Sequence, residues 1–184
     1  MSRKGKKKGK KIERPILEPH QVFKALLDES DRGCILVAHA YLDEKIGEFL
    51  KILFVHIGGH EADIANFLKQ WQFNPFTFKV AMVKACGKIK DNNIIKILDA
   101  FNELRNDFAH ISHANKLVED DVKALCKQID QLNPEQKSEL KRWEDIARLS
   151  SKNWNYARSR VRVKFMGLAV YLWASVEKLI SANK

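Results

Sequence analysis

Cysteine, proline and glycine are all scarce in this sequence, at three, four and eight of 184 residues. So few prolines and glycines cannot punctuate a collagen-like, low-complexity or turn-rich all-β chain, and a mostly helical protein is the default. Cys34, Cys86 and Cys126 are widely spaced and odd in number, which argues against a disulfide framework; they read as small buried side chains in a reducing compartment. Long apolar runs are absent too. The longest uncharged one, Phe165 to Val176, has 12 residues, short of the ~18 to 20 that cross a bilayer. The basic start leads into no apolar signal core, because Ile12 to Pro19 is short and holds Glu13, Arg14 and Glu18. The expectation is a soluble, cytoplasmic protein with no membrane partner.

What the chain does have is 45% hydrophobic and 30% charged positions, a balance that suits one globular domain with a substantial core. The net charge is +10, but it is unevenly spread: residues 1–14 carry eight bases and one acid, or +7, leaving +3 for the other 170 residues. The high pI therefore describes an arm and not a basic folded body. Lysine and glycine at that density cannot bury enough apolar surface to offset the entropy of ordering, so 1–14 is expected to be a disordered basic arm and 15–184 the domain.

Within the domain, apolar residues recur at steps of three and four. A short helix is expected over His20 to Leu27, and Ser30 or Asp31 can cap a longer one bearing Ile35, Ala38, Leu42, Ile46, Phe49 and Leu53 on one face. Gly58 and Gly59 end it, and Ala62 to Gln70 reads as another short helix. Asn74-Pro75 opens a helix that Gly87 closes near Cys86. Asp91 caps the next, with Ile94, Leu98, Phe101, Leu104 and Phe108 in register. Glu119 to Asp121 should lead into a helix bearing Val122, Leu125, Cys126, Ile129 and Leu132. Asn133-Pro134 precedes Leu140, Trp143 and Ile146, and a final helix runs from Trp154 to Ile180. Its stripe of Phe165, Leu168, Leu172, Val176 and Leu179 reads as core or a dimer seam. The fold class expected is all-α, a bundle of about six or seven helices.

The candidate chemistry centres on Leu104-Arg105-Asn106-Asp107-Phe108-Ala109-His110. As an ordinary helix end, Arg105 would pair with an acid and His110 would sit near the last carbonyls, where a cation is favoured. As a ribonuclease site, His110 would activate a ribose 2′-hydroxyl, Arg105 would hold the phosphate bidentately and Asn106 would orient either group. On an ideal helix Arg105 and His110 lie ~140° apart, so one chain cannot easily aim both at one phosphate. That reading implies a deformed helix or a symmetric homodimer.

Those residues, taken with Glu29-Ser30-Asp31-Arg32-Gly33-Cys34-Ile35-Leu36-Val37-Ala38-His39-Ala40-Tyr41-Leu42-Asp43-Glu44 and the acidic Asp120-Asp121, carry a resemblance to the mannitol operon repressor (MltR-like) family over residues 29–129. The resemblance implies an all-helical fold and bacterial transcriptional regulation through protein partners, without a recognisable DNA-reading motif. The R-N-x-x-x-H block also resembles the HEPN superfamily, which implies a metal-independent endoribonuclease, a toxin or defence effector with an antitoxin partner. Its catalytic residues would be Arg105, Asn106 and His110 at a dimer interface. Ser112 stands where one toxin subgroup has tyrosine.

Asp31 and Arg32 read either as a helix entrance with Arg32 paired to an acid, or, with Asp107, as support around that site. His56, His60 and Glu61 are not taken as a metal site, because Gly58-Gly59 breaks the rigid face a zinc motif needs. No cofactor is expected. For nucleic acid, the candidates are Lys6, Lys7, Lys8, Lys10 and Lys11 in the arm, together with Arg158, Arg160 and Arg162 beside Trp154 and Tyr156, where phosphate contacts could join base stacking with RNA. The alternative for both clusters is a solvated, solubilising surface.

Overall fold

A computed structural model describes residues 18–64, 76–87, 89, 91–110, 116–151 and 160–183. The fold is all-α. Seven helices are bounded among the described residues: α1 (Pro19–Leu27), α2 (Asp31–His56), α3 (Phe76–Ala85), α4 (Asn92–His110), α5 (Lys123–Ile129), α6 (Pro134–Ser151) and α7 (Arg160–Ser181). Residues 61–64 are helical as well. The arm, most of the expected 62–70 helix, Asn74-Pro75 and the first part of the expected final helix lie outside the described residues. No described helix is long and apolar enough to cross a membrane.

Local chemistry sets the helix ends. Glu18 and Gln21 form a capping box ahead of α1, with Pro19 in the first turn, where its missing N–H costs nothing. Ser30, rather than Asp31, caps α2 by accepting from the Gly33 N–H at 3.0 Å. At the other end Gly58 takes φ +94° and the Gly59 N–H reaches back to the Phe54 carbonyl at 2.9 Å, a Schellman closure that a side chain at Gly58 would strain. Asp91 accepts from Asn93 N–H at 2.8 Å ahead of α4. Asn133 and Gln136 exchange reciprocal bonds of 2.9 and 3.0 Å at the start of α6. The acidic run departs from expectation: Asp121 accepts from the Val118 N–H and closes a turn, and α5 starts only at Lys123.

Helix α2, 26 residues and about 39 Å long, packs against α1, α3, α4 and α7. All six of its expected apolar positions are buried, as are the five on α4. Helix α7 is buried without a break from Phe165 to Ala174, so it is a central helix and not merely striped. Its Gly167 lets α6 come close: a Cβ there would lie 2.9 Å from the Glu144 nitrogen. Between α2 and α7, buried Lys45 is held by Glu48 at 2.8 Å and Glu177 at 2.6 Å and lies 5.0 Å above the Trp173 ring. Of the cysteines only Cys34 is buried; Cys126 is half-buried and Cys86 is exposed, because it falls in the turn after α3 where no helical face holds it against the core.

Candidate functional site

The apolar stripe of α4 turns toward the core, which places Asn102, Arg105 and Asn106 along one edge at i, i+3 and i+4. They face His39 and Asp43, one turn apart on α2, and the start of α3 at Phe76 and Thr77. Together these residues line a cleft of about 420 Å³. Asn102 and His39 are each only 9% exposed, and they satisfy one another: His39 Nε2 donates to Asn102 Oδ1 at 3.1 Å. The Phe76 ring covers His39 at 4.4 Å between centroids. Lys79 donates to both carboxylate oxygens of Asp43 at 2.7 Å. Arg105 Nη1 donates to Asn106 Oδ1 at 3.0 Å.

The electrostatics of His39 follow from this setting. Burial holds its pKa below the ordinary 6.5, against the Asn102 hydrogen bond, and the nearby charges of Arg105 and Lys79 push the same way while Asp43 opposes them. His39 is therefore neutral at pH 7, with a proton on Nε2 engaged by Asn102.

His110 is not among the residues lining the cleft. It is the last residue of α4 and is exposed, as is Asp107. Arg105 and Asn106 thus come together within one chain, and the third member of the R-N-x-x-x-H set stands apart. Arg105 also pairs with an amide and not with the acid expected of a simple helix end.

Asp31 stands at the entrance of α2, as one reading expected, and both it and Arg32 make long-range contacts. Asp31 Oδ1 pairs with Arg162 Nη1 at 2.6 Å, and Oδ2 accepts from the Leu117 N–H at 2.9 Å. Arg32 Nη2 donates to the Ala109 carbonyl at 3.1 Å, so its partner is the negative end of α4 and not an acid. These bonds tie Ala109 and Leu117 to the start of α2. They also join the 29–44 block to the 104–110 block, two segments far apart in sequence.

Arg162 corrects the expected nucleic-acid surface. It is 3% exposed, and besides Asp31 it donates to the carbonyls of Leu26 and Glu29. Successive α7 positions fan around the helix, and on a helix buried nearly all round one of them had to point inward; Arg162 is a core cross-link and cannot reach a phosphate. Arg160 and Lys164 are exposed. Arg158 and Lys6, Lys7, Lys8, Lys10 and Lys11 lie outside the described residues.

Among the described residues no group of three or more His, Cys, Asp or Glu is placed to hold a metal ion. His56 and His60 are exposed, and Glu61 pairs with Lys51.

Sequence reasoning overlooked His39, Asp43, Lys79 and Asn102 as site residues. Two of them had a signal: His39 lies one turn after Ile35 on the buried arc of α2, and Asn102 interrupts the apolar run of α4. The Lys79–Asp43 pair had none, since it depends on how α3 docks. No protein-family model, curated protein or solved structure matches this chain.

Proposed function

We propose that this chain is a regulatory protein of the mannitol operon repressor (MltR-like) type that acts by binding, as a homodimer and through a protein partner, and not by cutting RNA. One observation carries the proposal: Arg105 and Asn106 share a cleft with a neutral, hydrogen-bonded His39, while His110 stands exposed outside it. Attack by a ribose 2′-hydroxyl needs a base and a phosphate-holding group within reach of the same phosphate. His39 is a poor substitute base, being 9% exposed with Nε2 committed to Asn102. Asp31 and Arg32 support a scaffold, and the basic arm would add a salt-dependent, sequence-independent attraction to nucleic acid.

The second reading, a HEPN-like endoribonuclease, is favoured by the exposure of His110 and Asp107 at the end of α4. A second copy docked there could complete an Arg–Asn–His site. Cleavage of total and transfer RNA in EDTA by the full chain and by His110→Ala separates the two. The regulatory proposal expects intact RNA with both proteins across salt and protein concentration. Cleavage that vanishes in a folded His110→Ala variant overturns it.

A further inference from the structure

We infer that the cleft between α2, α3 and α4 is a binding site for a small oxyanion ligand, a compact molecule carrying a carboxylate or phosphate, with Arg105 as the group that holds the charge. The inference is independent of the regulatory proposal, because binding a small anion requires neither a partner protein nor RNA chemistry.

Charge matching among sheltered cations is the main argument. Lys45 has Glu48 and Glu177, Lys79 has Asp43, and Arg162 has Asp31. Arg32 faces the negative end of α4. Arg105, half-buried, is bonded among the described residues only to the neutral amide of Asn106. Among the side chains outside the described residues, only that of Glu13 is a carboxylate. Proteins rarely shelter a guanidinium without an anionic partner, since the desolvation cost is then uncompensated.

The rest of the cleft fits such a ligand. Lys79 and Asp43 cancel each other and His39 is neutral, so the guanidinium leaves a net +1 in a cavity of about 420 Å³, within the ~300–1,000 Å³ usual for small-molecule sites. Asn106 Oδ1 steadies one arm of the guanidinium and leaves the remaining donors for a two-point contact with an oxyanion. Thr77 and Asn106 supply uncharged polar groups for the body of the ligand, and the Phe76 and His39 rings, tilted 45° to one another, form an aromatic wall.

The test is calorimetric titration of the full chain, at fixed ionic strength, with inorganic phosphate and separately with succinate. Ring signals of His39 are followed by NMR in parallel. The expected result is saturable one-to-one binding of at least one of the two ions with a shift of the His39 signals. Arg105→Gln should weaken it about tenfold or more and Arg105→Lys less, because lysine keeps the charge and loses the fork. Lys96→Gln, exposed on the same helix and away from the cleft, should bind as the native chain does. The two ions distinguish phosphate from carboxylate ligands. The basic arm is the same in every variant, so the Arg105-dependent difference isolates the cleft. If Arg105→Gln proves unfolded by circular dichroism, Arg105→Lys and the His39 shifts decide. Equal binding by native protein and Arg105→Gln, or no binding of either ion up to about 50 mM, overturns the inference. So does Arg105-dependent binding of an RNA oligonucleotide alone, which would assign the cleft to RNA. Failure to bind phosphate or succinate leaves the RNA-cleavage assay, and with it the regulatory proposal, untouched.

Discussion

Replacing Arg162 by methionine keeps most of the side-chain volume and removes the guanidinium that ties α7 to the loop before α2. Asp31 Oδ1 would lose its 2.6 Å partner, and the carbonyls of Leu26 and Glu29 would lose a donor. Breaking a buried ion pair from one side costs about 3–5 kcal/mol, and an orphaned buried acceptor about 1–3. These costs overlap, and Asp31 is 18% exposed and keeps its bond from Leu117, so water recovers part of the loss. The expected destabilisation is about 3–4 kcal/mol, or roughly 6–16 °C in Tm for a domain of this size. Urea unfolding followed by far-UV circular dichroism measures it, with Arg160→Met as the exposed control expected to change stability by less than ~0.5 kcal/mol. Combining Arg162→Met with Asp31→Asn should cost clearly less than the two single changes added, because they share one interaction. High salt should leave the Arg162 effect largely intact. If Arg162→Met behaves like Arg160→Met, Arg162 is on the surface and the scaffold role assigned to Asp31 fails.

Three other expectations follow from particular contacts. Gly167→Ala places a methyl 2.9 Å from the Glu144 nitrogen, and overpacking of about 1–3 kcal/mol should exceed the helix-propensity gain of about 1 kcal/mol, lowering the urea midpoint. Asn133→Ala removes the acceptor for the Gln136 N–H at the start of α6 and should cost about 1 kcal/mol in the same assay. His39 has a folded pKa below its unfolded 6.5, so the unfolded chain takes up the proton first; its share of stability is full above pH 6.5, falls as pH drops from there toward the folded value, and then levels off. Urea midpoints across about pH 5 to 7.5 should therefore decline less steeply in His39→Gln than in the native chain, and identical slopes would contradict the burial assigned to His39.

The helices were legible because their apolar spacing and their caps agree. Ser30, Asp91 and the Asn133-Gln136 pair mark starts that periodicity alone would leave uncertain by several residues, and Gly58 and Gly87 mark stops through their positive φ. The site was only half legible. Arg105 and Asn106 stood out as adjacent polar residues on the edge of an apolar stripe, but their neighbours come from two other helices and no local pattern announces docking partners. The expectation for Arg162 failed for a related reason: a run of alternating bases on a helix looks solvated until the helix is known to be buried on nearly every side. Asp31 shows the converse, since a residue that looked like a simple cap turns out to bridge α2, α7 and the segment after α4.

The central claim is that Arg105 shares its cleft with His39 inside one chain, and the proton titration of His39 tests it most directly. In ¹⁵N-edited NMR spectra of the histidine rings, His39 should titrate below 6.5 with Nε2 protonated in the neutral form. Arg105→Gln should move that midpoint upward, because it removes a positive charge that disfavours the imidazolium. A His39 midpoint that Arg105→Gln leaves unchanged would mean that the two residues do not share a site.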